Sequence, residues 1–483
     1  MAAQESISNI IYALINYEDP YVQPLLLSAL ANRLPASSYQ LIPSLSELPS
    51  PDCRLLQWTQ YESIDFDHLV SHPTSSLANA YVIRKALIRK HYLSTTTANW
   101  VTKHPGSVLA RGVKPSVEFE VDYAEFLDDA LVEAWELKAS WQRNARLEGE
   151  GKEKSREWWI LKPGMSERGQ GIRLFSSEEE LTDIFEEWDP ESDDEEEEEG
   201  EGEVRSDAGS TLSKGNTEEK EGKGIITSQL RHFIAQPYIH PPLLLSPPSS
   251  QSSALPSPAT ASRKFHIRTY ILATGALKIH VYRPMLALFA ARDYQAPWDQ
   301  ALQSDRDEAM KAHLTNTCLQ DSGDREGSVA LFWNLPDELP LQPDLTSSAG
   351  PAPPPYKLSH DSAADGTWKL GVFDDICKIA GETFEAAARG MGIHFQPLPN
   401  AFEIFGLDFM VGVQPDGELR TWLMEVNAFP DFRQTGDQLS GMIGRLFEGV
   451  VDVAVAPFCD VSGGEEGVVR DLVEVLDIDL GRR

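Results

Sequence analysis

Two apolar runs near the C-terminus constrain this chain more than any other feature. Phe402-Glu403-Ile404-Phe405-Gly406-Leu407-Asp408-Phe409-Met410-Val411 and Leu419-Arg420-Thr421-Trp422-Leu423-Met424-Glu425-Val426-Asn427 are rich in β-branched and aromatic residues. Gln414-Pro415-Asp416-Gly417 between them has turn chemistry, so the stretch predicts a β-hairpin. Folding the second run back brings Glu425 roughly opposite Asp408. Period-2 alternation puts Glu425 and Asn427 on one strand face. Taken singly, each polar residue fits a solvent-facing position. Two carboxylates and an amide together, inside apolar strands, suit a hard cation: Mg²⁺ takes oxygen ligands, keeps waters and is usually shared with substrate phosphates.

At 483 residues the chain is long enough for two or three cores, and 41% hydrophobic residues with 11 Trp fit a globular protein. Residues 178–203 hold 17 acids and no Lys or Arg, about half of the net charge of −33. The rest is moderately acidic, which argues against non-specific nucleic-acid or anionic-membrane binding. Cys53, Cys318, Cys377 and Cys459 stand apart in sequence with no zinc-like spacing, so reduced thiols are expected. No secretory signal or spanning helix is apparent, and the expected location is cytoplasmic.

In chain order, Ile10 to Ile15 is apolar throughout, strand or buried helical turn. Tyr21 to Leu30 reads as an amphipathic helix and Leu55 to Trp58 as a strand, giving a small α/β domain over residues 1–75. Residues 79–92 predict a basic amphipathic helix bearing Arg84, Lys85, Arg89 and Lys90, either a solvated face or an anion-binding rim. The central domain is expected over 76–240, with an acidic disordered insert at about 190–222. A third domain is expected over 263–460. Further Pro/Ser-rich inserts are placed at about 241–262 and 344–366.

Lys162 ends an apolar strand and precedes Pro163-Gly164 and Arg168-Gly169-Gln170-Gly171. A glycine-bearing loop after a strand lets backbone N–H groups approach phosphate, with Lys as a point charge; an ordinary connection reads the same way. Lys264-Phe265-His266-Ile267-Arg268 alternates, placing three cationic or polar groups on one strand face, and the next strand adds Arg283. A cationic row beside a carboxylate–Mg²⁺ site matches what a transferring phosphoryl group needs. Leu314-Thr315-Asn316 offers another amide, or a turn.

Together these segments, with Gln236-Pro237-Tyr238-Ile239 and Val281-Tyr282-Arg283, resemble the tubulin–tyrosine ligase family, an ATP-grasp group. The resemblance runs from about residue 10 to about 455. It implies an α/β (α+β) ATP-grasp fold with a small N-terminal α/β domain, interrupted by disordered inserts. It also implies an ATP-dependent carboxylate–amine ligase joining a free amino acid to a protein carboxylate, with tubulin or another acidic-tailed protein as partner. By matching position, Lys162, Gln236, Lys264 and Asn316 are nucleotide-binding residues, and Arg268 and Arg283 neutralise the acyl-phosphate region. Asp408, Glu425 and Asn427 match the Mg²⁺ ligands. One departure stands out: the family usually has an acid where this chain has His266. The segment Arg84 to Lys90 is the local candidate for docking an acidic tail.

Overall fold

A computed structural model describes residues 10–164, 170–188, 231–247, 263–298, 306–315, 328–339, 367–435, 439–461 and 471–481. The inserts placed at 190–222 and 344–366, residues 248–262 of the third, and the site residue Asn316 lie outside them.

Three sheets carry the architecture. β1 (Ile11–Asn16), β2 (Tyr39–Leu41), β3 (Leu55–Thr59) and β4 (Ser76–Ala78) form a parallel sheet in the order β2-β1-β3-β4. β1 is buried on both faces: Ile11, Ala13 and Ile15 enter one core, Tyr12 and Leu14 another. Two-sided burial explains its unbroken apolar run. The helix Val22–Arg33 rests on the distant helix Ser440–Val450. Arg33 Nη2 meets Asp452 Oδ2 at 2.6 Å and Asn32 Nδ2 donates to Glu448 Oε1 at 2.9 Å.

β5 (Val117–Glu120), β6 (Trp159–Pro163), β7 (Arg173–Phe175) and β8 (His232–Pro237) make an antiparallel sheet ordered β5-β8-β6-β7. Its own core gathers Phe119, Phe185, Trp188 and Phe233.

The third sheet has eight strands: β9 (Leu244–Leu245), β10 (Arg263–Thr274), β11 (Lys278–Tyr282), β12 (Leu286–Phe289), β13 (Val329–Leu331), β14 (Phe402–Val413), β15 (Leu419–Ala428) and β16 (Leu472–Asp477). β10 lies beside β14, which pairs in turn with β15. Alternation sorts β10 and β14. Phe265, Ile267, Ile271, Phe405, Leu407 and Phe409 enter a core with the helix Trp368–Gly390, while Tyr270, Leu272 and Phe402 enter a core on the other face. The even-numbered face also carries Lys264, His266, Arg268 and Asp408.

Two expectations are corrected. Residues 241–247 belong to the folded body rather than to an insert. Leu243, Leu244 and Leu245 are each 1% exposed, and β9 pairs with the start of β10. The basic helix over 79–92 is instead a turn, Lys85–Ile88, then a separate helix, Lys90–Lys103, because Arg89 adopts an extended conformation.

Candidate active site

The hairpin forms at the expected turn. Gly417 N–H donates to Gln414 O at 2.8 Å, with Gly417 at φ 84°, a value that favours glycine. Asp408 pairs directly with Glu425, and Gly406 with Asn427. A β-bulge follows, since Phe409 pairs with Leu423 and Met424 is left over. Asn427 Nδ2 donates to Glu425 Oε1 at 3.2 Å and lies 3.5 Å from Asp408 Oδ2.

β10 supplies the opposing charges. Arg268 forks Asp408, with Nη2 donating to Oδ2 at 2.9 Å and Nε bonding Oδ1. Gly406 permits this reach, since a Cβ there would lie 3.3 Å from Arg268 Cδ and 2.8 Å from Pro430 Cβ. Lys264 Nζ donates to the Tyr238 hydroxyl at 2.9 Å, which meets His313 Nδ1 at 2.8 Å. From the central sheet, Lys162 Nζ donates to Gln236 Oε1 at 3.0 Å, and Gln236 Nε2 donates to Lys114 O at 3.2 Å. Lys90 Nζ approaches Glu425 Oε2 at 3.7 Å.

Burial lowers Lys264 to about 7, with Lys162 adding repulsion, and lowers Lys162 to about 8. Burial raises Asp408, with Glu425 adding to it against the pull of Arg268. Burial also acts to raise Glu425, but Lys90 and Lys162 outweigh it and hold Glu425 low. His266 is 3% exposed and pushed down to about 3 by burial and then Arg268, so it is neutral at pH 7. Its Nδ1 meets Thr315 Oγ1 at 2.6 Å, while Nε2 lies 3.6 Å from Asp408 Oδ1.

The structure thus gathers Lys162, Gln236, Lys264, Arg268, Asp408, Glu425 and Asn427 where the central and C-terminal sheets meet. Arg283 is not among them. It follows β11 on the other face of the sheet, stacked on Trp333 and Phe373 at 4.9 and 5.3 Å. Cross-strand parity explains this: Val281 faces the same core as its partner Ile271, and so does Arg283 two residues on, opposite in face to Arg268. Arg84 is also withdrawn, 7% exposed and paired with Glu403 at 2.9 Å. Sequence reasoning does not assign Tyr238, His313 and Thr315 to the site, although the quoted segments Gln236–Ile239 and Leu314–Asn316 contain or adjoin them. Lys90 reads there as part of a solvated face or anion-binding rim, not as a neighbour of Glu425.

Comparison with known proteins fits this geometry. The profile of the "Tubulin-tyrosine ligase family" matches residues 116–333 and 359–462. The chain belongs to the tubulin–tyrosine ligase family. A Schizosaccharomyces pombe relative named "probable tubulin–tyrosine ligase" is 40% identical over 93% of this chain and 92% of its own length. Saccharomyces cerevisiae PBY1, named likewise, is 37% identical over 95% of this chain, which spans 54% of PBY1. The crystal structure of the C-terminal domain of K. lactis Pby1, described as an ATP-grasp enzyme interacting with the mRNA decapping enzyme Dcp2, superposes with a TM-score of 0.62. It is 32% identical and covers 97% of this chain and 99% of that one. The fold is therefore the ATP-grasp fold of this ligase family.

The donor set fits the cation such enzymes use. Among the described residues no three His, Cys, Asp or Glu converge as a metal cage. Two carboxylates and one amide suit an ion that keeps waters and shares itself with phosphates. Asn427 would need its Oδ1, rather than Nδ2, turned to that ion.

Proposed function

We propose that this chain is an ATP-dependent ligase joining a free amino acid to a protein carboxylate. The observation that carries the reading is the buried row Lys162, Lys264 and Arg268 converging on Asp408, Glu425 and Asn427 between two sheets. ATP supplies the phosphoryl group that activates the acceptor carboxylate as an acyl phosphate, releasing ADP; the amine of the amino acid then attacks the acyl carbon, forming the amide bond and expelling phosphate. Lys162 and Lys264 bind phosphate oxygens in their protonated form, which the anion itself favours. Asp408, Glu425 and Asn427 would hold Mg²⁺, which offsets phosphate charge. Arg268 orients Asp408 and presents its guanidinium where acyl-phosphate charge develops. Gln236 fixes Lys162 from the strand bordering the base.

The test is incubation with ATP, Mg²⁺ and each labelled amino acid against a tubulin-containing extract, then identification of the labelled protein. Label transfer that requires ATP supports the reading; absence of Mg²⁺-dependent ATP binding by calorimetry sinks it and leaves a non-catalytic scaffold.

A protein other than tubulin is the second acceptor. It is favoured by the fate of the basic segment expected to dock an acidic tail. Two of its four cations are withdrawn, Arg84 sealed against Glu403 and Lys90 turned to Glu425, which leaves exposed Lys85 and half-buried Arg89. The K. lactis relative is described as interacting with Dcp2, which shows that a family relative engages a partner of another kind.

A further inference from the structure

Large apolar side chains left in water concentrate on one short stretch of the central layer. Tyr123 and Phe126 are each 48% exposed, Val132 54% and Trp135 69%. They run from just after β5 to Trp135, the first residue of the helix Trp135–Gly149. Leu127, Leu131, Ala134 and Leu137 of the same run are buried in the core under the central sheet, so the stretch is pinned with its aromatic side outward. Tyr123 and Phe126 meet edge-on, ring centroids 6.3 Å apart. Glu125, Asp128, Asp129, Glu133 and Glu136 among them are all exposed, and no Lys or Arg occurs from Tyr123 to Leu137.

Scattered exposed hydrophobic residues need no explanation, but aromatic anchors grouped within a charged rim have the anatomy of a binding surface. Within the stretch the charges are all acidic, and Lys138, three residues along the helix from Trp135, is the one cation that adjoins it in sequence. A second copy of the chain would set these five acids against their own equivalents, and an acidic tail would be repelled in the same way. We propose that this surface docks a linear segment of a partner protein in which Lys or Arg residues flank Leu or aromatic anchors. The acids steer the basic flanks inward, and Trp135 and Phe126 receive the apolar side chains. This surface lies outside the residues of the ligase site and does not depend on the ligase reading.

The test titrates the full chain into a fluorescein-labelled synthetic peptide of alternating Arg and Leu/Phe, followed by anisotropy. A matched peptide with Glu in place of Arg is the control. The basic peptide is expected to bind and the acidic one not. Phe126→Ser/Trp135→Ser should weaken binding about tenfold or more, which is about 1.4 kcal/mol. Asp128→Asn/Asp129→Asn/Glu133→Gln, isosteric and exposed, should weaken it and flatten its salt dependence. Hydrogen exchange on addition of the basic peptide should protect 123–137. Equal binding of the two peptides, no binding of either, or unchanged affinity in both variants would overturn the proposal. So would concentration-dependent self-association that the Ser variant abolishes, which would assign the surface to a second copy.

Discussion

β14 carries two buried arginine–carboxylate pairs five residues apart. Glu403 meets Arg84 at 2.9 Å, its other oxygen accepts from Tyr81 N–H at 3.0 Å, and the guanidinium stacks on Tyr61 at 3.7 Å. Asp408 is forked by Arg268 but also faces a second carboxylate, and His266 Nε2 stands nearby without a hydrogen-bond partner. The first pair is sealed into the seam between the N-terminal sheet and the body. The second stands beside another carboxylate, Glu425, which Lys90 and Lys162 approach. Neither a buried ion pair nor an unsatisfied atom alone marks a site, since Arg84 Nε and Glu403 Oε1 also lack a hydrogen-bond partner; the second pair differs by the second carboxylate and the lysines gathered around it.

The same substitution should therefore have opposite consequences at the two places. Burial pushes Glu403 up to about 8 against the pull of Arg84. Glu403→Gln, which leaves Arg84 buried without its counter-charge, should therefore cost up to about 3 kcal/mol of stability, most above pH 8 where the carboxylate is ionised. Urea unfolding should show a lower midpoint, while ATP affinity of the folded fraction stays unchanged. Glu425→Gln keeps its shape but loses an anionic cation ligand. Its ligation rate should fall a hundredfold or more, about 2.7 kcal/mol of barrier, with a melting temperature that hardly moves. Near wild-type turnover under saturating ATP and Mg²⁺ would falsify the cation assignment.

Lys264→Met sharpens the contrast further. Calorimetry should record ATP affinity about tenfold weaker, with no loss of stability, because a desolvated ammonium is replaced by an apolar group of similar length. pH gives a milder effect. In the free protein Lys264 and Lys162 release protons near 7 and 8, so ATP affinity should fall as pH rises from 7 to 9. Binding should take up protons, seen as buffer-dependent heats. The sign for stability is the reverse. Both lysines titrate below their unfolded value, so as pH falls from about 10 toward 7 the unfolded chain gains protons first, and nucleotide-free stability declines. Smallest of all, Arg283→Ala removes an exposed cation–π stack, about 0.5–1 kcal/mol, and should leave ATP affinity unchanged. A large loss of affinity would return Arg283 to the site.

Much of this was legible in the chain. Turn chemistry and strand period place Glu425 roughly opposite Asp408, but the direct pairing of the two depends on the bulge at Met424. The face shared by Lys264, His266 and Arg268 follows from alternation. Parity would also have excluded Arg283, one step out of phase with Tyr282, had it been carried around the β10–β11 turn. Other features could not be read. The bulge at Met424 leaves no residue signal. Tyr238, His313 and Thr315 come to Lys264 and His266 from separate segments. Glu403 looked like any polar strand residue until Arg84, far away in sequence, was seen to cover it.

The clasp between the helices Val22–Arg33 and Ser440–Val450, with its Arg33–Asp452 pair, has a consequence for biogenesis. The first helix leaves the ribosome with Leu26 and Leu30 seeking cover, but much of that cover is encoded more than four hundred residues later. Long-range closure of this kind slows folding. At about 5–20 residues per second of synthesis, the N-terminal sheet waits tens of seconds for its last neighbour. During that wait its apolar face is a natural client for chaperones.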